Sequence, residues 1–249
     1  MKIDLSGKRA IVCGGSRGIG RSIAIGMAQA GASVSICARG EAALEAARKD
    51  VAAAGGGTVH AMACDLANEA SINTYIAAAS QALGGVDILV NNASGFGSTD
   101  DLAGWEASYK VDIMATVHAS HAALDHLRAA KGCIINISSV SALRSSARTA
   151  PYGAAKAAVI HYTLSQAAMY AKDGVRVNCI APGSIEFPGG SWEKRKETAP
   201  KLYDAVLRSI PFGRLGHPEE VANVAVFLAS PLASWVTGQA ISVDGGQLL

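Results

Sequence analysis

The chain has 249 residues, half of them apolar, 17% charged and 27 of them glycine, with 22 Lys+Arg against 20 Asp+Glu for a net charge of +2. That much apolar side chain excludes an intrinsically disordered polypeptide. A charge so near zero lacks the basic stripe that a nucleic-acid binder needs, so a small-molecule or protein partner is expected instead. The N-terminus MKIDLSGKRAIV carries Asp4, Lys8 and Arg9 where a secretory signal would be apolar. The longest uncharged stretch, Val221–Val243, is broken by Pro231 and dotted with Asn223, Ser230, Thr237 and Gln239, which reads as helix, turn and strand rather than a membrane span. Cys13, Cys37, Cys64, Cys133 and Cys179 are scattered with no CxxC pair and sit in or beside apolar runs. Free thiols acting as small hydrophobes are expected, with no metal site and a reducing, cytoplasmic location.

Short apolar runs alternate with longer helical stretches. The predicted strands are Arg9–Cys13, Ser33–Ala38, Thr58–Ala63, Asp87–Asn91, Gly132–Ser138, Val175–Ala181 and Ala240–Val243. Between them fall predicted helices Gly18–Ala30, Glu41–Ala54, Glu69–Leu83, Leu102–Ala130, Ala150–Lys172 and Pro218–Ala229. Strands apolar at nearly every position are buried on both faces, as in parallel sheets. The alternation therefore predicts an α/β chain of the Rossmann type: one doubly wound parallel sheet of about seven strands, with helices on both faces. No linker divides residues 1–249, so one domain is expected. Residues 186–216 hold Pro188, Gly189, Gly190, Pro200, Pro211 and the cluster Glu193-Lys194-Arg195-Lys196-Glu197. A connection this long reads as a substrate-binding loop or lid, with a solvated surface insertion as the alternative.

The first strand runs into Cys13-Gly14-Gly15-Ser16-Arg17-Gly18-Ile19-Gly20 and then directly into helix. Glycines at 14, 18 and 20 permit a tight turn, close approach of backbone to a pyrophosphate, and close helix–strand packing. The helix N-terminus offers that anion free N–H groups. An acid at the tip of the second strand would accept bonds from the ribose of NAD. Arg39 stands there instead, with Arg17 inside the glycine turn. Two guanidiniums suit a 2′-phosphate and point to NADP(H), with NAD(H) the alternative if Arg39 is only a solvated charge.

Tyr152 and Lys156 are four residues apart in a helical segment and share one face. A neighbouring ammonium favours a phenolate, so Lys156 is placed to tune Tyr152. Ser139 stands at the carboxyl end of the predicted strand Gly132–Ser138, directly after it, on the side where doubly wound folds bind ligands. These residues, with the glycine turn, Asp65-Leu66, Asn91-Asn92-Ala93, Pro182-Gly183 and Asp244-Gly245-Gly246 in this order, resemble the short-chain dehydrogenase/reductase family over essentially the whole chain, and its 3-oxoacyl-carrier-protein reductase-like subgroup most. The resemblance implies an NADP(H)-dependent oxidoreductase interconverting a ketone and a secondary alcohol. It implies that Tyr152 exchanges the substrate proton, that Ser139 holds the carbonyl oxygen, and that Lys156 holds the nicotinamide ribose and lowers the Tyr152 pKa. It assigns Asp65 and Leu66 to the adenine, Asn91 and Ala93 to the adenosine side, and the turn residues Gly14, Ser16, Arg17, Gly18, Ile19 and Gly20 to the pyrophosphate. Pro182, Gly183 and Ile185 then fall beside the carboxamide.

Three positions depart from the family pattern. Cys13 replaces Thr at the mouth of the turn. Asp112 falls where the family carries a fourth catalytic residue, Asn; it is read either as pairing with Lys156 through water or as capping a kink. Phe187 replaces a Thr that touches the cofactor. Trp192 and Tyr203 are substrate contacts or staples of the loop. His118 and His121 lack a third ligand at fitting spacing, so no metal is expected. The alternatives to a general ketone reductase are a 3-oxoacyl-[acyl-carrier-protein] reductase, using Lys131, Lys172, Lys194, Arg195 and Lys196 toward an acidic carrier, and an inactive NADP-binding protein. The resemblance also implies a homotetramer or homodimer, packed through alanine-rich helices 102–130 and 150–172 and through Gln247-Leu248-Leu249.

Overall fold

The computed structural model describes residues 3–249. Seven strands, β1 Arg9–Cys13, β2 Ser33–Ala38, β3 Val59–Ala63, β4 Ile88–Asn91, β5 Cys133–Ile137, β6 Arg176–Pro182 and β7 Ala240–Val243, form one sheet in the order β3-β2-β1-β4-β5-β6-β7. Every pairing is parallel. Successive residues of β1 feed opposite cores: Ala10 and Val12 pack on one face with Ile23, Met27, Val221 and Ala225, while Ile11 and Cys13 pack on the other with Ile72, Tyr75, Ala119 and Ala123. That is the alternation expected of a strand covered on both sides. The edge strands β3 and β7 are only partly covered, because each has a neighbour on one flank alone.

Helices α1 Gly18–Gln29, α2 Glu41–Ala53 and α3 Glu69–Leu83 lie within a residue of the predicted ends. The predicted helix 102–130 differs. It is α4 Leu102–Ala107, a π-helical stretch Ser108–Met114, and α5 Ala115–Ala130. Helix α6 spans Ala150–Tyr170 and closes in a 3₁₀ turn at Ala171–Asp173. A buried amide network fastens α5 and α6 to the sheet: the Asn91 amide donates to Ser120 and to Asn136, and the Asn136 amide donates to Thr163 and Gln166.

The stretch 186–216 is more ordered than its Pro and Gly content predicts. It carries α7 Ser191–Thr198 and α8 Pro200–Arg208, and a parallel bridge of Ile185 with Gly216 closes its neck. Tyr203, Ile210 and Leu215 form a small core of their own beneath it. Residues 221–243 resolve into the end of α9 (Pro218–Ala229), a turn and β7. No helix among the described residues is long and apolar enough to cross a membrane.

Candidate active site

The strand order reverses between β1 and β4, and a cleft of about 1250 Å³ opens beyond the carboxyl ends of the strands there. Its floor begins at the glycine turn. Gly14 has φ +81°, and a Cβ there would stand 3.0 Å from the Ala93 backbone. A Cβ on Gly20 would drive into the Gly14 carbonyl and the Asn92 amide, so this glycine is required for the close helix–strand contact. Arg17 precedes α1 without capping it through its side chain, which leaves the first N–H groups of the helix for an anion.

Gly14, Ser16, Arg17, Ile19, Gly20, Arg39, Asp65, Leu66 and Ala93 all line this cleft. So do Pro182, Gly183, Ile185, Ser139, Tyr152 and Lys156 at its other end. Gly18 lies under the Phe187 ring, which covers the turn. Asn91 is 5% exposed, and its amide is committed to the core network rather than to the cleft. Its neighbour Asn92 lines the cleft and donates to the Gly14 carbonyl at 2.9 Å, a role that the Asn-Asn-Ala triplet does not disclose by itself.

Tyr152 is half-buried near the start of α6, and Phe96 meets its ring edge-on at a centroid separation of 5.0 Å. Lys156, one turn further, is buried with its Nζ 5.7 Å from the Tyr152 ring centroid. That ammonium donates to the Ile137 carbonyl at 2.9 Å and stands 3.0 Å from Asp112 Oδ1. The Asp112 side chain is wholly buried in the π-helical stretch, whose wider turn presents it directly to Lys156 with no room left for an intervening water. Oδ2 accepts a long bond from the Gly95 N–H, while Oδ1 has charge contact with Nζ but no aligned hydrogen bond. The ion pair is therefore held by Coulomb attraction more than by hydrogen-bond geometry. Burial pulls the Lys156 pKa down, and the Asp112 carboxylate followed by the Tyr152 oxygen pull it up further; the balance lies above the ordinary lysine value. Ser139 is buried beside them, its hydroxyl accepting from the Ser141 N–H.

Residues 186–216 and the segment before α6 supply further lining side chains. Trp192 and Arg195 of α7 line the cleft, and the Arg195 guanidinium stacks over both the Trp192 and Phe96 rings. Arg144 and Arg148, between β5 and α6, line it as well. Tyr203 is a staple: it is buried in the lid core and donates to Glu186 at 2.9 Å. Gln247 is buried and tied to Ser184, while Leu249 is fully exposed.

Comparison with known proteins bears on this geometry. The family model described as Enoyl-(Acyl carrier protein) reductase matches residues 14–247. The chain is 37% identical over 254 residues to the 3-oxoacyl-[acyl-carrier-protein] reductase of Aquifex aeolicus, covering 99% of each. Among solved structures, L-sorbose reductase from Gluconobacter frateurii, complexed with NADPH and L-sorbose, superposes with a TM-score of 0.90 at 32% identity over 100% of this chain and 99% of that one. A 7α-hydroxysteroid dehydrogenase complexed with NADH and 7-oxo glycochenodeoxycholic acid superposes at 0.91 with 34% identity over 98% and 96%.

The chain belongs to the short-chain dehydrogenase/reductase family. Members are oxidoreductases of CH–OH and C=O groups that work with NAD(P). The turn fits such a dinucleotide on its own terms. It offers an uncapped helix N-terminus, glycines where backbone must come close, and two arginines in the place of a ribose-binding acid.

Proposed function

We propose that this short-chain dehydrogenase/reductase interconverts a ketone and a secondary alcohol with NADP(H), using Ser139, Tyr152 and Lys156 as its working set. The observation that carries this reading is the sharing of one cleft by Tyr152, Lys156 and Ser139 with the open N-terminus of α1. When bound, the nicotinamide supplies or receives the hydride. Tyr152 donates its phenolic proton to the carbonyl oxygen in reduction and takes it back from the alcohol in oxidation. Ser139 donates a hydrogen bond to the oxygen on which negative charge develops. Lys156 holds the nicotinamide ribose and keeps a positive charge beside the phenol, while Asp112 is a positioning residue that keeps the buried ammonium charged and in place. Gly14, Ser16, Arg17, Gly18, Ile19 and Gly20 take the pyrophosphate, and Arg17 with Arg39 takes the 2′-phosphate. Asp65, Leu66 and Ala93 serve the adenosine end, with Asn91 behind them bracing the core, and Pro182, Gly183 and Ile185 serve the nicotinamide end. Residues 186–216 act as the lid of a single catalytic domain.

A 3-oxoacyl-[acyl-carrier-protein] reductase is the second reading, favoured by the 37% identity to the Aquifex aeolicus enzyme and by exposed Lys194 and Lys196 on α7. We further propose a cytoplasmic homotetramer or homodimer, supported by Leu102, Trp105 and Tyr109 on one helical segment and Leu164 and Met169 on α6, all exposed in the single chain. Following reduced-cofactor absorbance across a carbonyl panel tests the main reading. Carbonyl-dependent oxidation of NADPH is expected. Its absence with every carbonyl, alongside tight NADP(H) binding, would leave only a binding protein. A much higher rate on a carrier-linked acetoacetyl thioester than on free ketones, falling with salt, would select the second reading.

A further inference from the structure

The cations in the cleft outnumber the groups that neutralise them. Arg17 and Arg39 stand at the ends of β1 and β2 and belong to the adenosine phosphate in the reading above. Lys156 is matched by Asp112 at 3.0 Å and Lys110 by Glu106 at 2.6 Å. Arg144, Arg148 and Arg195 remain, and none of them makes an ion pair among the described residues. Arg144 and Arg148 are exposed in the loop between β5 and α6, three strands from β2 in the sheet order, and Arg144 also donates to the Gln247 carbonyl at 3.3 Å.

Arg195 is the most constrained of the three. Its Cζ lies 4.9 Å from the Trp192 ring centroid and 5.9 Å from that of Phe96, and Phe96 in turn is 5.0 Å from the Tyr152 ring. End to end, the last two separations place this guanidinium no more than about 11 Å from the ring that handles the proton. Arg195 is half-buried, and lying over a ring face leaves the planar fork of N–H donors free at its edge. Phe96 holds its position at φ +48°, a left-handed conformation that a bulky side chain adopts only when its surroundings enforce it.

We infer that the substrate arm of the cleft is an anion subsite. The carbonyl substrate carries a carboxylate, sulfonate or phosphate at the far end of an apolar body, and Arg195, with Arg144 and Arg148, receives it. Phe96, Trp192, Leu202 and Val206 accommodate the apolar body. This rests on the carbonyl-reductase reading of the same cleft. The anion belongs either to a small acid or to the phosphate on the arm of a carrier-linked thioester.

The test compares kcat/KM for straight-chain (ω−1)-oxo acids with their methyl esters, and for a carrier-linked acetoacetyl thioester with its N-acetylcysteamine analogue. The comparison is made in wild type and in Arg195→Gln, Arg148→Gln and Arg144→Gln. The charged member of at least one pair is expected to be preferred by about tenfold or more, the worth of one charge-assisted hydrogen bond. Arg195→Gln should collapse that ratio, mainly through KM, and added salt should weaken it. The pair that shows the preference identifies the source of the anion. Equal kcat/KM within both pairs in wild type, or a ratio untouched by all three substitutions, overturns the subsite while leaving carbonyl reduction standing. Calorimetric binding of phenylbutyrate against phenylbutyramide to the protein with NADP⁺ needs no turnover. It should favour the carboxylate by a similar factor that Arg195→Gln removes, and equal affinities or no binding of the carboxylate would overturn the inference even in a protein that reduces nothing.

Discussion

Removing the Asp112 carboxylate should expose how much the site depends on one ion pair. The Lys156 side chain is 3% exposed and that of Asp112 0%, and the ammonium has one other polar contact in the structure, the Ile137 carbonyl. Truncating one partner of a pair so completely buried strands the other charge, at a cost of about 3–5 kcal/mol. For a chain of this size each kcal/mol moves the melting temperature by roughly 2–4 °C, so Asp112→Ala should melt roughly 6–20 °C below wild type at pH 7. Asp112→Asn keeps the volume and an acceptor for the ammonium, and it should recover most of that loss. The pH dependence has a definite sign. Asp112 raises the folded-state pKa of Lys156 above the ordinary lysine value, so the contribution is complete at neutral pH and fades as the pH climbs through that raised value. The gap between wild type and Asp112→Ala should therefore narrow only in the alkaline range, and the alkaline limb of the activity profile should move to lower pH in Asp112→Asn. Scanning calorimetry at several pH values measures the first effect. An Asp112→Ala protein melting within a degree of wild type at pH 7, or a gap that widens with rising pH, would refute the reasoning.

Removing Arg39 or Arg17 deletes charge-assisted bonds to the 2′-phosphate, so each Ala variant should lose about tenfold in discrimination between NADP⁺ and NAD⁺, measured by calorimetry at low salt. Unaltered discrimination in both would mean the two arginines are solvated charges. Phe96→Gly relieves a left-handed backbone worth about 1–2 kcal/mol and deletes the ring between Tyr152 and Arg195, so the melting temperature should change little while KM for apolar ketones rises; a fall in stability with unchanged KM would contradict this. Burial raises the thiol pKa of Cys133 and of Cys179 to about 11 and pushes that of Cys37 well above the ordinary thiol value, and all five cysteines are free and buried. Native protein should therefore resist a maleimide at pH 8 and react fully only when unfolded, as judged by mass spectrometry.

The fold was legible because its signals are local and repeated. Runs such as Arg9–Cys13 are apolar at consecutive positions, and each is followed by a helix with its own periodicity, which fixes a parallel sheet before any contact is known. The glycine turn was legible for a stricter reason, since Gly14 and Gly20 occupy positions where a side chain collides with backbone. The break in the 102–130 helix was legible only as a kink that Asp112 could cap, because the Ser, Val, Asp and Ile of Ser108–Met114 lower helical propensity without specifying a π turn; that turn packs against α6, where Asp112 meets Lys156. The same holds for residues 186–216. Helix α8 turns its apolar face to a small core that this stretch itself builds, and Gly190 and Pro200, which read as irregular, stand at the starts of α7 and α8. Arg195 was visible only as one charge in a run, because Phe96 lies 99 positions away and the contacts of Arg195 with the Phe96 and Trp192 rings leave no trace in spacing. Trp192 and Tyr203 looked alike in sequence, yet one faces the cleft and the other staples the loop.

The central claim is that a phenol beside a buried ammonium delivers a proton to a carbonyl held at the Ser139–Tyr152 end of the cleft. It is tested most directly by single-turnover reduction of a ketone in the NADPH complexes of wild type and Tyr152→Phe. The chemical step should slow by about 10²–10⁴-fold in the variant while NADPH still binds. Equal single-turnover rates in the two proteins would contradict the account.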